Sequence, residues 1–252
     1  VADNSPDIVL RFRATATLIN LLGNGHRYEQ AFQRLAKLEE MIHSIRDHKA
    51  RFQGQGEASQ LLSSAGQEEQ AEAYAREMMA DPPPGESICK GAQHLIRARR
   101  EGGHLDVLDP IFDKGLASCT APGDEVFAQA MRSDIASFYL AHGRPADAIK
   151  LLTTYRESMR ALNYPVLLAE FDATLAQSYL KLGQLADARR SALSAASVAI
   201  RNEFTDSRRS AYDVLYQVEQ QLGNVSAALT YHEQFMLADK AYLDDISARS
   251  LA

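Results

Sequence analysis

One stretch of sequence that returns after forty residues constrains the fold more than any other feature of this chain. YLAHGRPADA begins at Tyr139, YLKLGQLADA begins at Tyr179, and the same glycine and alanine recur once more at Gly223 and Ala228. Repetition at a fixed period of 20 to 50 residues is typical of an array of one structural unit. The chain is therefore expected to be built of repeats.

Glycines mark this period along the whole chain, at intervals of 41, 37, 40, 40 and 40 residues: Gly25, Gly66, Gly103, Gly143, Gly183 and Gly223. Between them, apolar residues recur every three or four positions among good helix formers, which predicts amphipathic helices. Each glycine stands where a helix should end in a left-handed residue. Small residues five positions later, such as Ala148, Ala188 and Ala228, let two helices approach closely. The sequence predicts about six antiparallel helical hairpins, at about 7–47, 48–82, 85–121, 124–162, 164–203 and 205–240.

The central repeats carry the spacing of a known family. The pattern Ile135-Ala136-x-x-Tyr139-x-x-x-Gly143-x-x-x-x-Ala148, which recurs forty residues later, resembles the tetratricopeptide repeat. The period of 40 exceeds the usual 34 of that family, and the chain has no tryptophan. The resemblance implies an all-α, right-handed solenoid, with residues 1–252 forming a single domain. It also implies a concave groove that takes a protein partner, a peptide or a small ligand.

Motifs of catalysis are missing from the sequence. There is no GxxxxGKS/T, GxSxG, HExxH or CxxC pattern, and the seven histidines are dispersed. The net charge of -6 argues against a nucleic-acid partner, which would require a basic surface for the phosphates. We expect no enzymatic activity, no cofactor and no metal site in this chain.

One row of cations is a candidate ligand site. Lys90, His94 and Arg97 fall at positions i, i+4 and i+7 of one predicted helix, and Arg100 follows them. By analogy with tetratricopeptide arrays the row would face the groove, where it could bind a carboxylate or phosphate. The alternative is ordinary surface charge, paired with acidic residues such as Glu57 or Glu101. Elsewhere the predicted groove is lined by polar residues: Gln60, Ser137, Gln177, Gln217 and Gln221.

Two cysteines flank the third turn glycine at similar distances. Cys89 precedes Gly103 by 14 residues and Cys119 follows it by 16, so an antiparallel hairpin would bring both to its open end. A disulfide is one outcome, and two buried free thiols are the other. A disulfide would imply an oxidising compartment, which for a bacterial protein is the periplasm.

The final segment predicts a single long helix over about residues 224–252, because it contains no glycine or proline after Gly223. An apolar stripe continues along it: Leu229, Phe235, Met236, Tyr242, Leu243 and Ile246. This segment resembles the exit helix of tetratricopeptide sensor regions in bacterial signalling proteins. The resemblance implies an input module, tethered to the inner membrane on the periplasmic side, with a diguanylate cyclase as the first candidate for the output. It also implies a homodimer formed through the exit helix.

Two other functions remain open on the same residues. The chain could be a scaffold or adaptor for protein assembly, in the periplasm or the cytoplasm. It could also be the helical regulatory region of a histidine kinase or of a transcriptional activator. In every case the ligand or partner would bind in the groove.

Overall fold

A computed structural model describes residues 5–103 and 110–251 of the chain, and within these residues the secondary structure is entirely helical. Thirteen helices are described, in the order α1 Ile8–Asn24, α2 Tyr28–Ile42, α3 His48–Ser64, α4 Glu68–Ala80, α5 Cys89–Glu101, α6 Ile111–Ser118, α7 Glu125–Ala141, α8 Pro145–Thr154, α9 Arg156–Ala161, α10 Pro165–Lys181, α11 Leu185–Asn202, α12 Thr205–Gln221 and α13 Val225–Leu251. Successive helices form hairpins whose turns lie at the forty-residue period.

The turns share one backbone motif, seen clearly between α10 and α11. Gly183 has a φ of 69°, and the amide of Gln184 donates to the carbonyl of Tyr179 at 2.9 Å. A left-handed residue followed by this long-range hydrogen bond is the Schellman ending of a helix. It reverses the chain and satisfies a terminal carbonyl in the same step.

The first hairpin departs from the prediction made for Gly25. That glycine has a φ of -88°, and the left-handed residue is His26, with a φ of 56°. The closing hydrogen bond moves with it, since the amide of Arg27 donates to the carbonyl of Leu22 at 2.9 Å. The motif is therefore shifted by one residue, and the expectation of a left-handed glycine at position 25 was wrong.

The fourth hairpin has a divided second helix. Thr153 and Thr154 donate their hydroxyls to the carbonyls of Ile149 and Lys150, each at 2.7 Å. Such bonds compete with the helical amides for the same carbonyls. The helix ends at Thr154, and α9 begins two residues later at Arg156.

The chain divides into two compact units. The first comprises Val1–Met131 together with Ile246–Ala252. Its core is built of large apolar side chains, of which the most deeply buried are Phe12, Ile19, Leu38 and Leu62. In α3, a Cβ at Gly54 would overlap the ring of Phe12, so glycine permits the close contact between α1 and α3.

The second unit comprises Arg132–Asp245 and has a core rich in alanine. The repeated small residues Ala148 and Ala188 are fully buried, and Ala228 is buried as well. Together with Ala176 and Ala192 they line the contacts between neighbouring helices. Small side chains shorten the distance between helix axes, and this explains why alanine recurs with the period of the array.

Candidate functional site

The first helices of the first three hairpins, α1, α3 and α5, carry a row of polar side chains that we call the first-helix face. It comprises Thr17, Asn20, Gln53, Glu57, Lys90 and Arg97. The amide of Asn20 donates to Glu57 at 2.9 Å, and the amide of Gln53 donates to the Thr17 hydroxyl at 3.4 Å. These bonds join α1 to α3 on a side of the unit that is polar rather than apolar.

Glu57 is the carboxylate of this face. Burial raises its pKa above the ordinary value, and the hydrogen bond from Asn20 opposes that shift only in part. Partial burial strengthens its electrostatic interactions, because the local dielectric constant is lower than that of water. A ligand donor that reached Glu57 would therefore gain more than it would at an exposed carboxylate.

Lys90 is one of the two cations of this face. Its ammonium group binds Glu86 at 2.7 Å and lies 5.6 Å from the centre of the Phe127 ring and 6.0 Å from that of Phe52. An ammonium near the faces of aromatic rings is attracted to them, while its methylene groups pack on apolar surface. The side chain is only partly exposed, so its position is fixed before any ligand arrives.

The other three predicted cations occupy different environments. His94 is only 9% exposed, and its Nε2 atom lies 3.2 Å from the position of a Cβ on Gly56. Arg97 lies two helical turns after Lys90 and is partly exposed. Arg100 forms an ion pair with Glu101, the partner that the alternative interpretation named. The structure thus brings Lys90 and Arg97 to one side of α5 and places His94 inside, between α5 and α3.

In the second unit, the polar positions expected along the groove are also on first helices. The hydroxyls of Ser137 and Thr174 lie 3.3 Å apart, and the amide of Gln217 donates to Asp213 at 2.9 Å. Gln177 is partly exposed, like Gln217, while Gln60 in the first unit and Gln221 in the second are exposed. They present amide groups that could bind a peptide backbone, without specifying its sequence.

A cleft of about 800 Å³ lies between α2, α3 and α4 of the first unit, and the sequence did not indicate it. Its lining includes Tyr74, whose hydroxyl donates to Glu39 at 3.0 Å, and Glu77, which accepts from the amide of Gln55 at 2.8 Å. Burial, reinforced by Glu39 and Glu77, raises the pKa of Tyr74. The residues come from three helices, and no local spacing in the sequence relates them.

Cys89 and Cys119 lie together in the first unit. Their sulfur atoms are 2.05 Å apart and their Cα atoms 4.9 Å apart. Cys89 is the first residue of α5, and Cys119 follows the last residue of α6. The disulfide in the purified protein stays a prediction.

Neither a metal site nor a membrane span is found in the described part of the chain. Between residues 5 and 103 and between 110 and 251, no group of three or more His, Cys, Asp or Glu side chains could hold a metal ion. None of the helices in these ranges combines the length and hydropathy of a membrane span.

The helical hairpins define the class of protein: the chain is an all-α, tetratricopeptide-like array, as the sequence predicted. No protein-family description matches the sequence, and no curated protein matches it. Two solved structures share the fold. A Rap protein complexed with competence and sporulation factor has a TM-score of 0.68 at 11% identity, covering 96% of this chain and 79% of that one. NprR in complex with its cognate peptide NprX has a TM-score of 0.66 at 14% identity, covering 98% and 72%.

Proposed function

We propose that this chain is a peptide-binding regulatory module and that the first-helix face of the first unit is where the peptide binds. The single observation that carries the proposal is the arrangement of this face. A partly buried hydrogen bond joins Asn20 to Glu57, and the ammonium of Lys90 lies near the rings of Phe52 and Phe127. A surface with fixed donors and acceptors loses little conformational entropy when it binds a flexible peptide.

The similarity in fold supports this proposal over one of pure scaffolding. NprR is in complex with its cognate peptide NprX, and the Rap protein is complexed with competence and sporulation factor. In the present chain, Lys90 and Arg97 on one side of α5 favour a peptide that carries a carboxylate. Glu57 and Gln53 would bind its backbone amides or an amino group. The charges of the face thus suit a short peptide with groups of both signs.

The output of such a module is a separate question. The long final helix suggested a diguanylate cyclase as the output. In this proposal a diguanylate cyclase is one of several candidate output domains. An adaptor or regulator that binds a peptide and then contacts another protein agrees better with the fold. The periplasmic location depends on the oxidation state of Cys89 and Cys119.

Peptide binding can be tested with a random hexapeptide library displayed on phage. We expect wild-type protein to enrich peptides with dissociation constants in the micromolar range. Lys90→Ala should weaken binding of the enriched peptides about tenfold, because it removes one charge-assisted hydrogen bond. Synthetic versions of each peptide with a free and an amidated C-terminus would show whether the terminal carboxylate is the group that is bound.

Lys37→Ala is the matched control, because Lys37 is an exposed lysine on α2, away from the first-helix face. Circular dichroism would establish that both variants keep their helical content. Enriched peptides whose affinity is the same for wild type, Lys90→Ala and Asn20→Ala would show that this face is not the binding site. Failure to enrich any peptide would contradict the proposed function itself.

A further inference from the structure

The outer face of α13 carries exposed apolar side chains at regular intervals. Leu229, Met236 and Leu243 follow one another at seven-residue spacing and are 58%, 53% and 54% exposed. Seven residues correspond to two turns of a helix, so the three side chains form a straight row of about 21 Å. We call this row, with Glu233 and Lys240 between its members, the outer stripe.

The outer stripe is not the face through which α13 packs on its own unit. That role belongs to Ala228, Ala238 and the partly buried Phe235 and Tyr242. A helix face that no other part of the unit covers is usually polar. In α13 the outer face is instead apolar at every second turn. Such a face is typical of a surface that another helix covers.

The charged residues of the outer stripe indicate which helix covers it. Glu233 and Lys240 are exposed, and Lys240 only approaches Asp244, at 3.9 Å. Met236 stands midway between Leu229 and Leu243 in sequence. If two copies of α13 lie antiparallel about a two-fold axis at Met236, Leu229 of each copy meets Leu243 of the other. The same register brings Glu233 of each copy within one residue of Lys240 of the other.

We propose that the outer stripe of α13 is an antiparallel homodimer interface, with a second copy of this chain as its occupant. A two-fold axis pairs each residue with its symmetry partner, so one patch must complement itself. The outer stripe does so in the antiparallel orientation. In a parallel pair, Glu233 would face Glu233 and Lys240 would face Lys240, and like charges in contact oppose association.

The area involved sets the expected strength. One helical stripe of this length buries much less than the roughly 800 Å² per partner of a standard interface. We therefore expect a dimer that dissociates in the micromolar range and exchanges readily. This inference does not depend on peptide binding, since the outer stripe lies in the second unit and the first-helix face in the first.

Sedimentation equilibrium of the whole chain tests the dimer at protein concentrations from about 1 to 300 μM. We expect wild-type protein to dimerise and Met236→Glu to raise the dissociation constant at least about tenfold, because two carboxylates would meet on the axis. Gln234→Glu is the control: it adds the same charge at an exposed position on another side of α13. A wild-type monomer throughout this range would overturn the proposal and assign the stripe to a different protein.

Charge exchange tests the orientation. Glu233→Lys alone should weaken the dimer, and the double variant Glu233→Lys with Lys240→Glu should restore it, because both cross-pairs become opposite in sign again. Single cysteines at positions 229 and 243 give a second test, since an oxidised mixture should yield the mixed 229–243 cross-link. Efficient cross-linking of Leu229→Cys to itself would overturn the antiparallel arrangement.

Discussion

Asp172 in the second unit is a buried carboxylate whose energetic effect depends on pH. It is 1% exposed, accepts from the Ser194 hydroxyl at 2.6 Å, and lies 3.5 Å from the guanidinium of Arg156. Burial raises its pKa above the ordinary 3.8, and the hydrogen bond and the arginine offset that shift only in part. The ionised form is therefore less favourable in the folded protein than in the unfolded chain.

This raised pKa predicts the sign of a pH effect. Between pH 3.8 and the raised pKa, the folded state binds more protons than the unfolded state, so wild-type protein loses stability as the pH rises. Asp172→Asn keeps an acceptor for Ser194 and cannot ionise. We expect the free energy of unfolding of Asp172→Asn, minus that of wild type, to increase with pH in this window and to level off above it.

Urea unfolding at a series of pH values measures this difference. Asp147→Asn, an isosteric change at a half-exposed carboxylate of the same unit that pairs with Arg144, serves as the control for the loss of one charge. A difference between Asp172→Asn and wild type that falls as the pH rises would mean that attraction to Arg156 outweighs burial. The assigned direction of the pKa shift would then be wrong.

At the scale of single residues, the sequence predicted backbone conformation better than side-chain contacts and burial. The turn glycines were predictable because a left-handed residue favours glycine, and in the first turn His26 takes that position instead. Asn163 and Glu203, which are also left-handed, were not predicted. The hydrogen bond between Ser194 and Asp172 could not be predicted from the sequence, since the two residues lie 22 positions apart on different helices. His94 was placed on the surface by its spacing from Lys90, whereas packing against Gly56 buries it. Helical spacing defines a face but does not say how far a neighbouring helix covers it.

At the scale of the elements, Cys89 and Cys119 connect the start of α5 to the end of α6. The two cysteines are separated by 30 positions in sequence. Closing a loop of that size in the unfolded chain is expected to stabilise the folded state by about 3 to 4 kcal/mol. Replacing both cysteines by serine should remove that contribution, and guanidinium unfolding with and without reductant measures it.

The control is the double serine variant, whose unfolding should not respond to reductant. Intact mass after alkylation under denaturing conditions gives the direct result for protein purified without reductant. A disulfide leaves no thiol to alkylate and supports an oxidising compartment. Two alkylated thiols would contradict the disulfide, and the argument for the periplasm would end with it.

Helical periodicity alone did not show which apolar residues of α13 face the second unit. The sequence joined Leu229, Phe235, Met236 and Tyr242 into one apolar stripe of the last helix. In the structure they separate into two faces, with Phe235 and Tyr242 turned towards the unit and Leu229 and Met236 exposed. Apolar residues occur both in cores and at interfaces, and composition alone does not distinguish the two. The division of the fourth hairpin's second helix into α8 and α9 was likewise not predicted from periodicity.

At the scale of the whole molecule, the first unit is assembled from both ends of the chain. Arg249, near the end of α13, donates from Nε to the Tyr28 hydroxyl at 3.0 Å and from Nη1 to the carbonyl of Ser64 at 3.3 Å. Its guanidinium also lies 5.4 Å from the centre of the Tyr28 ring. Arg249 thereby joins the last turn of α13 to the first two hairpins.

Arg249→Gln should loosen this region. The change removes a charged donor from a partly buried site, and we expect a loss of about 1 kcal/mol in the stability of the first unit. Hydrogen–deuterium exchange should show faster exchange at the start of α2 and the end of α3, with α11 unchanged. Arg201→Gln, at an exposed arginine of the second unit, is the matched control. Unchanged protection in α2 and α3 would indicate that Arg249 contributes nothing to the unit.

The contact between Arg249 and Tyr28 spans 221 positions in sequence, and this has a consequence for synthesis on the ribosome. The second unit has all of its residues once position 245 has been made, whereas the first, although begun earlier, still lacks 246–252. At a translation rate of about 5 to 20 residues per second, Arg249 is synthesised roughly 10 to 40 s after Tyr28. Of the two units, the one whose translation begins first is therefore completed second.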